Sequence, residues 1–219
     1  MFPLPAHIFF EIGALLTSIV FWYKIKSTKL CWLLPFMSFI VGVELYGRYL
    51  RKELHEPNAW LYNISIPIEY LFYGFLFYLH YTRKLFLQIS IFFLISFSVF
   101  AISNILFIQG FERFSTNILK IGSFCMLVFC CMYFMELQST NVQTNLIKEP
   151  MFWLTTGVFL FNAGEFFYTL FSDYLIRNHL DLTRQIFASI NSKLIWVLYS
   201  CISISILCTE KKPQKALNK

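Results

Sequence analysis

Charge is what this sequence has least of. Lys, Arg, Asp and Glu make up 14% of its 219 residues, against ~25% in an average soluble domain. Hydrophobic residues reach 58% and aromatics 20%. A soluble domain of this size could not cover so apolar a surface with polar groups, whereas lipid can act as its solvent. Catalytic punctuation is also missing. There is no HExxH or HxxxH, no GxSxG elbow, no Ser–Lys pair at nucleophile spacing and no CxxC. Ser192 and Lys193 are adjacent and point to different helix faces. Six cysteines, Cys31, Cys125, Cys130, Cys131, Cys201 and Cys208, fall within or beside apolar runs and read as small packing residues. No linker is long enough for a second domain, and no cofactor is named by any motif. The opening Met1-Phe2-Pro3-Leu4-Pro5 lacks a basic n-region and a cleavage site, so the first helix is expected to be retained.

What is present is a series of apolar runs. A membrane-crossing helix needs ~20 apolar residues. Runs at about 6–23, 30–50, 59–81, 85–108, 115–137, 150–172 and 184–208 meet or approach that length. The expected fold is all-α: a polytopic bundle of seven transmembrane helices forming one domain over 1–210, with a basic cytoplasmic tail at 211–219. Pro57 and Pro150 precede helices, where proline is tolerated, while Pro35 and Pro67 lie near or inside spans.

With seven spans the termini lie on opposite sides. The C-terminal side carries Lys24, Lys26, Lys29, Arg83, Lys84, Lys148, Lys211, Lys212, Lys215 and Lys219. The other side carries Arg48, Arg51, Lys52, Arg113, Arg177 and Arg184. Positive residues concentrate on the cytoplasmic side, so the expectation is a multi-pass protein of the plasma (inner) membrane of a bacterium-like cell, N-terminus outside and C-terminus cytoplasmic. The net charge of +6 is read as topology signal and headgroup contact. Membrane lipids and a membrane-protein partner are the expected neighbours, and nucleic acid is not. Glu11-Ile12-Gly13 matches Lys120-Ile121-Gly122, Gly42-Val43-Glu44 matches Ala163-Gly164-Glu165, and Asn63 matches Asn191. These matches fit two parallel three-helix halves joined by the fourth helix, a 3+1+3 pseudo-repeat.

The sharpest signal is charge inside the spans, where each ionisable group is costly and normally faces a bundle interior. At 1.5 Å per residue, Glu11 lies about 8 Å from the start of its span and Glu44 about 9 Å from the end of its own, with Glu69 about 15 Å, Lys120 about 8 Å, Glu165 about 10 Å and Lys193 about 14 Å from the same side. Alternating helix direction puts all six on the N-terminal side, with Asn63, Asn104, Asn162 and Asn191. The opposite half has only Glu136 and His80 near its edge.

Helical spacing forms stripes: Glu44, Arg48, Arg51 and His55; Tyr62, Ser65, Glu69 and Tyr73; Asn162, Glu165, Tyr168 and Thr169; His7 and Glu11. If they converge, they line a pocket in the outer half. The expected ligand-binding set is Glu11, Glu44, Arg48, Asn63, Glu69, Asn162, Glu165, Tyr168 and Asn191. It would hold a small polar ligand, ion or lipid headgroup for transport or sensing. Two alternatives stand beside it. One is a lipid-modifying or hydrolytic enzyme with Glu69 or Glu165 as general acid or base and Arg48 holding a phosphate. The other is a subunit of a larger membrane complex. Salt bridges from the glutamates to Arg48, Lys120 and Lys193 would lock helices instead. His7, His55 and His179 with a glutamate could supply a zinc set.

Overall fold

The computed structural model describes residues 5–139, 145–179 and 185–210. The expected tail at 211–219 and residues 140–144 of the polar stretch after the fifth run lie outside the described residues. The described residues are mostly helical, with no strand among them. The first run breaks at Phe21 into α1 (Ala6–Val20) and a single further turn, α2 (Trp22–Ile25). The second opens with a 3₁₀ turn at Lys29–Trp32, capped by Thr28 Oγ1, before α3 (Leu33–Lys52). Pro35 falls in the first turn of α3, where a missing N–H costs nothing. Next come α4 (Ala59–His80) and α5 (Lys84–Ser103), the latter extended by a π-helical turn over Asn104–Ile108. Finally come α6 (Thr116–Ser139), α7 (Pro150–Arg177, with Pro150 at its first position) and α8 (Gln185–Cys208). Helix α7 ends at Arg177 rather than near 172.

Among the described residues four helical segments are long and apolar enough to cross a membrane: Lys29–Lys52, Lys84–Ile108, Thr116–Ser139 and Ala188–Cys208. Helix α1 is apolar but shorter. Helices α4 and α7 do not reach that hydropathy, for a simple reason. They carry Asn63 and Glu69, and Asn162 and Glu165. Their outward residues, Ile64 and Ile68 on α4 and Leu160, Phe167 and Leu170 on α7, are exposed and apolar.

Packing makes a ring. Helix α1 touches α3, α3 touches α4, α4 touches α6, α6 touches α7, α7 touches α8, and α8 returns to α1. Helix α5 stands outside, packed mainly on α4. It has the highest mean hydropathy of the four apolar segments, 2.5, and only 22% of its apolar window is buried. An apolar surface left uncovered by protein is what lipid contact requires.

Contacts at the two ends of the ring fix the alternation of helix direction. At one end Lys24 Nζ donates to Leu207 O at 3.0 Å and Lys29 Nζ donates to Leu79 O. Each acceptor is the next-to-last carbonyl of its helix, α8 and α4, so the two lysines offset the negative ends of two helix dipoles. At the same end Glu136 Oε1 accepts from the Thr82 backbone N–H (2.7 Å) and from Thr82 Oγ1. At the other end Asn63 bridges to the loop before α6 and Asn58 Nδ2 donates to Gly47 O at 3.1 Å.

Candidate functional site

The axis of the ring, toward the end where α1 begins, holds a cavity of about 370 Å³. Five helices line it: His7 and Glu11 from α1, Glu44 and Arg51 from α3, Tyr62, Ser65 and Glu69 from α4, Glu165 from α7, and Asn191, Ser192 and Tyr199 from α8. Phe114, from the loop before α6, completes the wall. Thus four glutamates from four helices face one space. Glu11 is only 2% exposed, and its Oε2 has no hydrogen-bond partner. Glu44 Oε2 accepts from the Tyr62 hydroxyl at 3.2 Å. Glu165 Oε2 accepts from the Tyr70 hydroxyl at 2.8 Å and from Ser123 Oγ at 3.0 Å. The carboxyls lie within electrostatic reach of one another: Glu44 and Glu69 act on Glu11, and Glu165 and Glu44 act on Glu69.

A second, smaller void of about 30 Å³ lies beneath the cavity and shares Ile66, Glu69, Phe161 and Glu165 with it. Tyr70, Tyr73, Leu119 and Asn162 close it. Asn162 Nδ2 donates to Val158 O at 2.8 Å, while its Oδ1 is buried without a partner.

Of the expected binding residues, Glu11, Glu44, Glu69, Glu165 and Asn191 meet at the cavity, and Asn162 sits at its floor. The others are elsewhere. Asn63 is a clamp: its Nδ2 donates to Phe111 O (2.9 Å) and Arg113 O (2.8 Å), and its Oδ1 accepts from Ser115 N–H (2.9 Å). Asn104 is likewise taken up by its own loop, with Gln109 and Asn117. Arg48 and Tyr168 lie outside the lining, and Arg51 takes the place expected of Arg48. At 100° per residue Arg51 departs from the Glu44 azimuth by about 20° and Arg48 by about 40°, so the finer reading of the stripe favours Arg51.

The stripe stops short of His55, because α3 ends at Lys52 and His55 turns into the left-handed region with φ 56°. His179 does the same after α7, with φ 57°. Among the described residues no three His, Cys, Asp or Glu, these histidines included, stand together as metal ligands. Neither Lys120 nor Lys193 lines the cavity, and Lys193 is exposed.

Sequence reasoning missed Tyr199, Ser192 and the Tyr70–Ser123 pair that holds Glu165. Tyr199 carries a signal, since it lies seven residues from Ser192, within about 20° on the same helix face. The Tyr70–Ser123–Glu165 contact joins three helices and has no signal along the chain. Comparison with family models, curated proteins and solved structures finds no match for this chain.

Proposed function

We propose that the chain is a seven-span membrane protein whose outer-half cavity binds a small polar ligand bearing a cationic group, for transport or sensing. The convergence of Glu11, Glu44, Glu69 and Glu165 on one cavity carries this reading. Arg51 and His7 are the basic residues of that lining, so carboxyls outnumber cations. An amine or other cation offsets that excess, and the Arg51 guanidinium is available to an anionic end of a zwitterion. The spans are α1 with α2, α3, α4, α5, α6, α7 and α8, in a plasma (inner) membrane of bacterial type. The N-terminus is outside and the C-terminus cytoplasmic. The polar residues of α4 and α7 turn inward while their outer faces are apolar, which supports counting both as spans. The order of the ring supports the 3+1+3 arrangement, since α1, α3 and α4 occupy one arc and α6, α7 and α8 the next.

The test is ligand-induced stabilisation of the purified protein in lipid nanodiscs, with ethanolamine, choline and glycine as probes. A ligand at one hundred times its dissociation constant stabilises by about 2.7 kcal/mol, roughly 5–10 °C in Tm for a chain of this length. The wild type is expected to respond to at least one probe, and a Glu11→Gln, Glu44→Gln double variant to lose most of the response. Equal responses in the two proteins, or none in either, remove the cavity reading.

One observation favours a second reading. A groove between α1 and α8, lined by Phe9, Phe10, Gly13 and Ser203 among others, shares Tyr199 with the cavity. An acyl chain in that groove would bring a lipid headgroup toward Glu69 and Glu165 as general acid or base. The exposed Lys193 on α8 is what favours a complex subunit.

A further inference from the structure

We propose that the small void under the cavity is a binding site for a dehydrated monovalent cation of sodium size, held by Glu69, Glu165, Asn162 and Tyr73. The argument begins with donors. Every side chain bearing a polar atom at this void offers oxygen: two carboxyls, the Asn162 amide and the hydroxyls of Tyr70 and Tyr73. Oxygen-only sets suit hard cations. The Asn162 amide is oriented without ambiguity, because only its NH₂ can donate to Val158 O, which leaves Oδ1 as the free end. That oxygen belongs to a side chain 1% exposed and has no partner. The Tyr73 hydroxyl, on a residue 2% exposed, has none either. A buried polar atom without a partner is costly, because it has given up its water and gained nothing in return. Two on the wall of one void, beside two carboxyls, call for a bound species that accepts lone pairs.

Size selects the species. About 30 Å³ exceeds the ~10–15 Å³ that one water requires, but does not admit an ion with its hydration shell. A calcium ion takes about 6–8 oxygen ligands and magnesium keeps several waters. With Glu165 Oε2 already accepting from Tyr70 and Ser123, the two carboxyls and two neutral oxygens fall short of either, and among the described residues no three His, Cys, Asp or Glu stand together as metal ligands. The Tyr70 hydroxyl is already committed to Glu165 Oε2, which turns that carboxyl and holds it at the void's edge. Because Glu69 and Glu165 line both spaces, the cation would neutralise part of the acidic wall that the larger ligand meets. The inference therefore rests in part on the cavity reading.

The experiment measures equilibrium binding of radiolabelled Na⁺ to the full chain in nanodiscs, with ionic strength held by KCl and no amine present. Saturable binding near one ion per chain is expected for the wild type and for Ser96→Ala, a control on α5 outside the ring. Asn162→Ala and Tyr73→Phe should each weaken it about tenfold or more, the scale of one lost bond to a charged group. Tyr73→Phe keeps the ring against Phe36 and removes only the hydroxyl. It therefore decides the matter if Asn162→Ala does not fold. No saturable Na⁺ binding means the void holds water alone and overturns the proposal, as does affinity unchanged in Tyr73→Phe. Ethanolamine stabilisation in the same samples separates the two readings: its absence with Na⁺ binding intact removes the cavity ligand and leaves the ion site.

Discussion

Glutamate does three different jobs in this chain. Glu136 is structural: its carboxylate accepts from Thr82 just before α5, where an acidic group favours the positive end of the helix dipole. Glu165 is held by two hydroxyls and kept at the cavity edge. Glu11 is buried with one oxygen unpartnered, as Glu136 is, but it lines the cavity, where Glu136 is spent on Thr82. Asparagine divides in the same way. Asn63 satisfies three backbone groups of one loop, whereas Asn162 and Asn191 each keep a buried oxygen unpartnered. Asn63→Ala should therefore lower stability by about 1–3 kcal/mol, because the Ser115 N–H and two carbonyls lose their partner. Thermal unfolding in nanodiscs measures it, and amine binding by the folded fraction should be unchanged. A variant as stable as wild type would show that the clamp contributes nothing.

At the scale of elements, close approach decides which helix faces meet. Gly122 on α6 has the Tyr70 ring of α4 against it, and a methyl group there would overlap the ring. Gly157 on α7 meets the Cys201 side chain and the Leu198 carbonyl of α8. Gly13, the counterpart of Gly122 in the sequence matches, has nothing within 4 Å of where a methyl group would stand. The glycines of the expected repeat thus do different work in the two halves. Gly122→Ala is expected to push Tyr70 away from Glu165, costing about 1–3 kcal/mol through overpacking and weakening the amine response. Gly13→Ala should be neutral or stabilising by up to about 1 kcal/mol, the helix-propensity gain. Paired Tm measurements on the two variants check this, and equal shifts would refute it.

For the whole molecule, two ends with different chemistry follow from one pattern of helix direction. One end is closed by lysines on helix C-termini, and the other opens into the acidic cavity. The proposed topology predicts that a membrane-impermeant maleimide labels Glu56→Cys on intact cells, in a background without native cysteines. Arg83→Cys should be labelled only after permeabilisation. The reverse pattern would invert the orientation, and labelling of both on intact cells would mean that α4 does not cross.

Composition and hydropathy by themselves determined that the chain is helical, that several of its helices are apolar enough for a membrane, and that glutamates interrupt its apolar runs. These are local properties, since each run carries its own length, depth and azimuth. The glutamate stripe was legible for the same reason, and a closer reading of azimuth already prefers Arg51 to Arg48. Where helices end against their expected stripe, as at His55, the backbone conformation decided. Which carboxyls share a cavity, which asparagines are spent on loops, and where Asn162 and Tyr73 meet Glu69 depended on the order of helices around the ring. That order is set by contacts between segments far apart along the chain, which the pattern within any one helix does not encode.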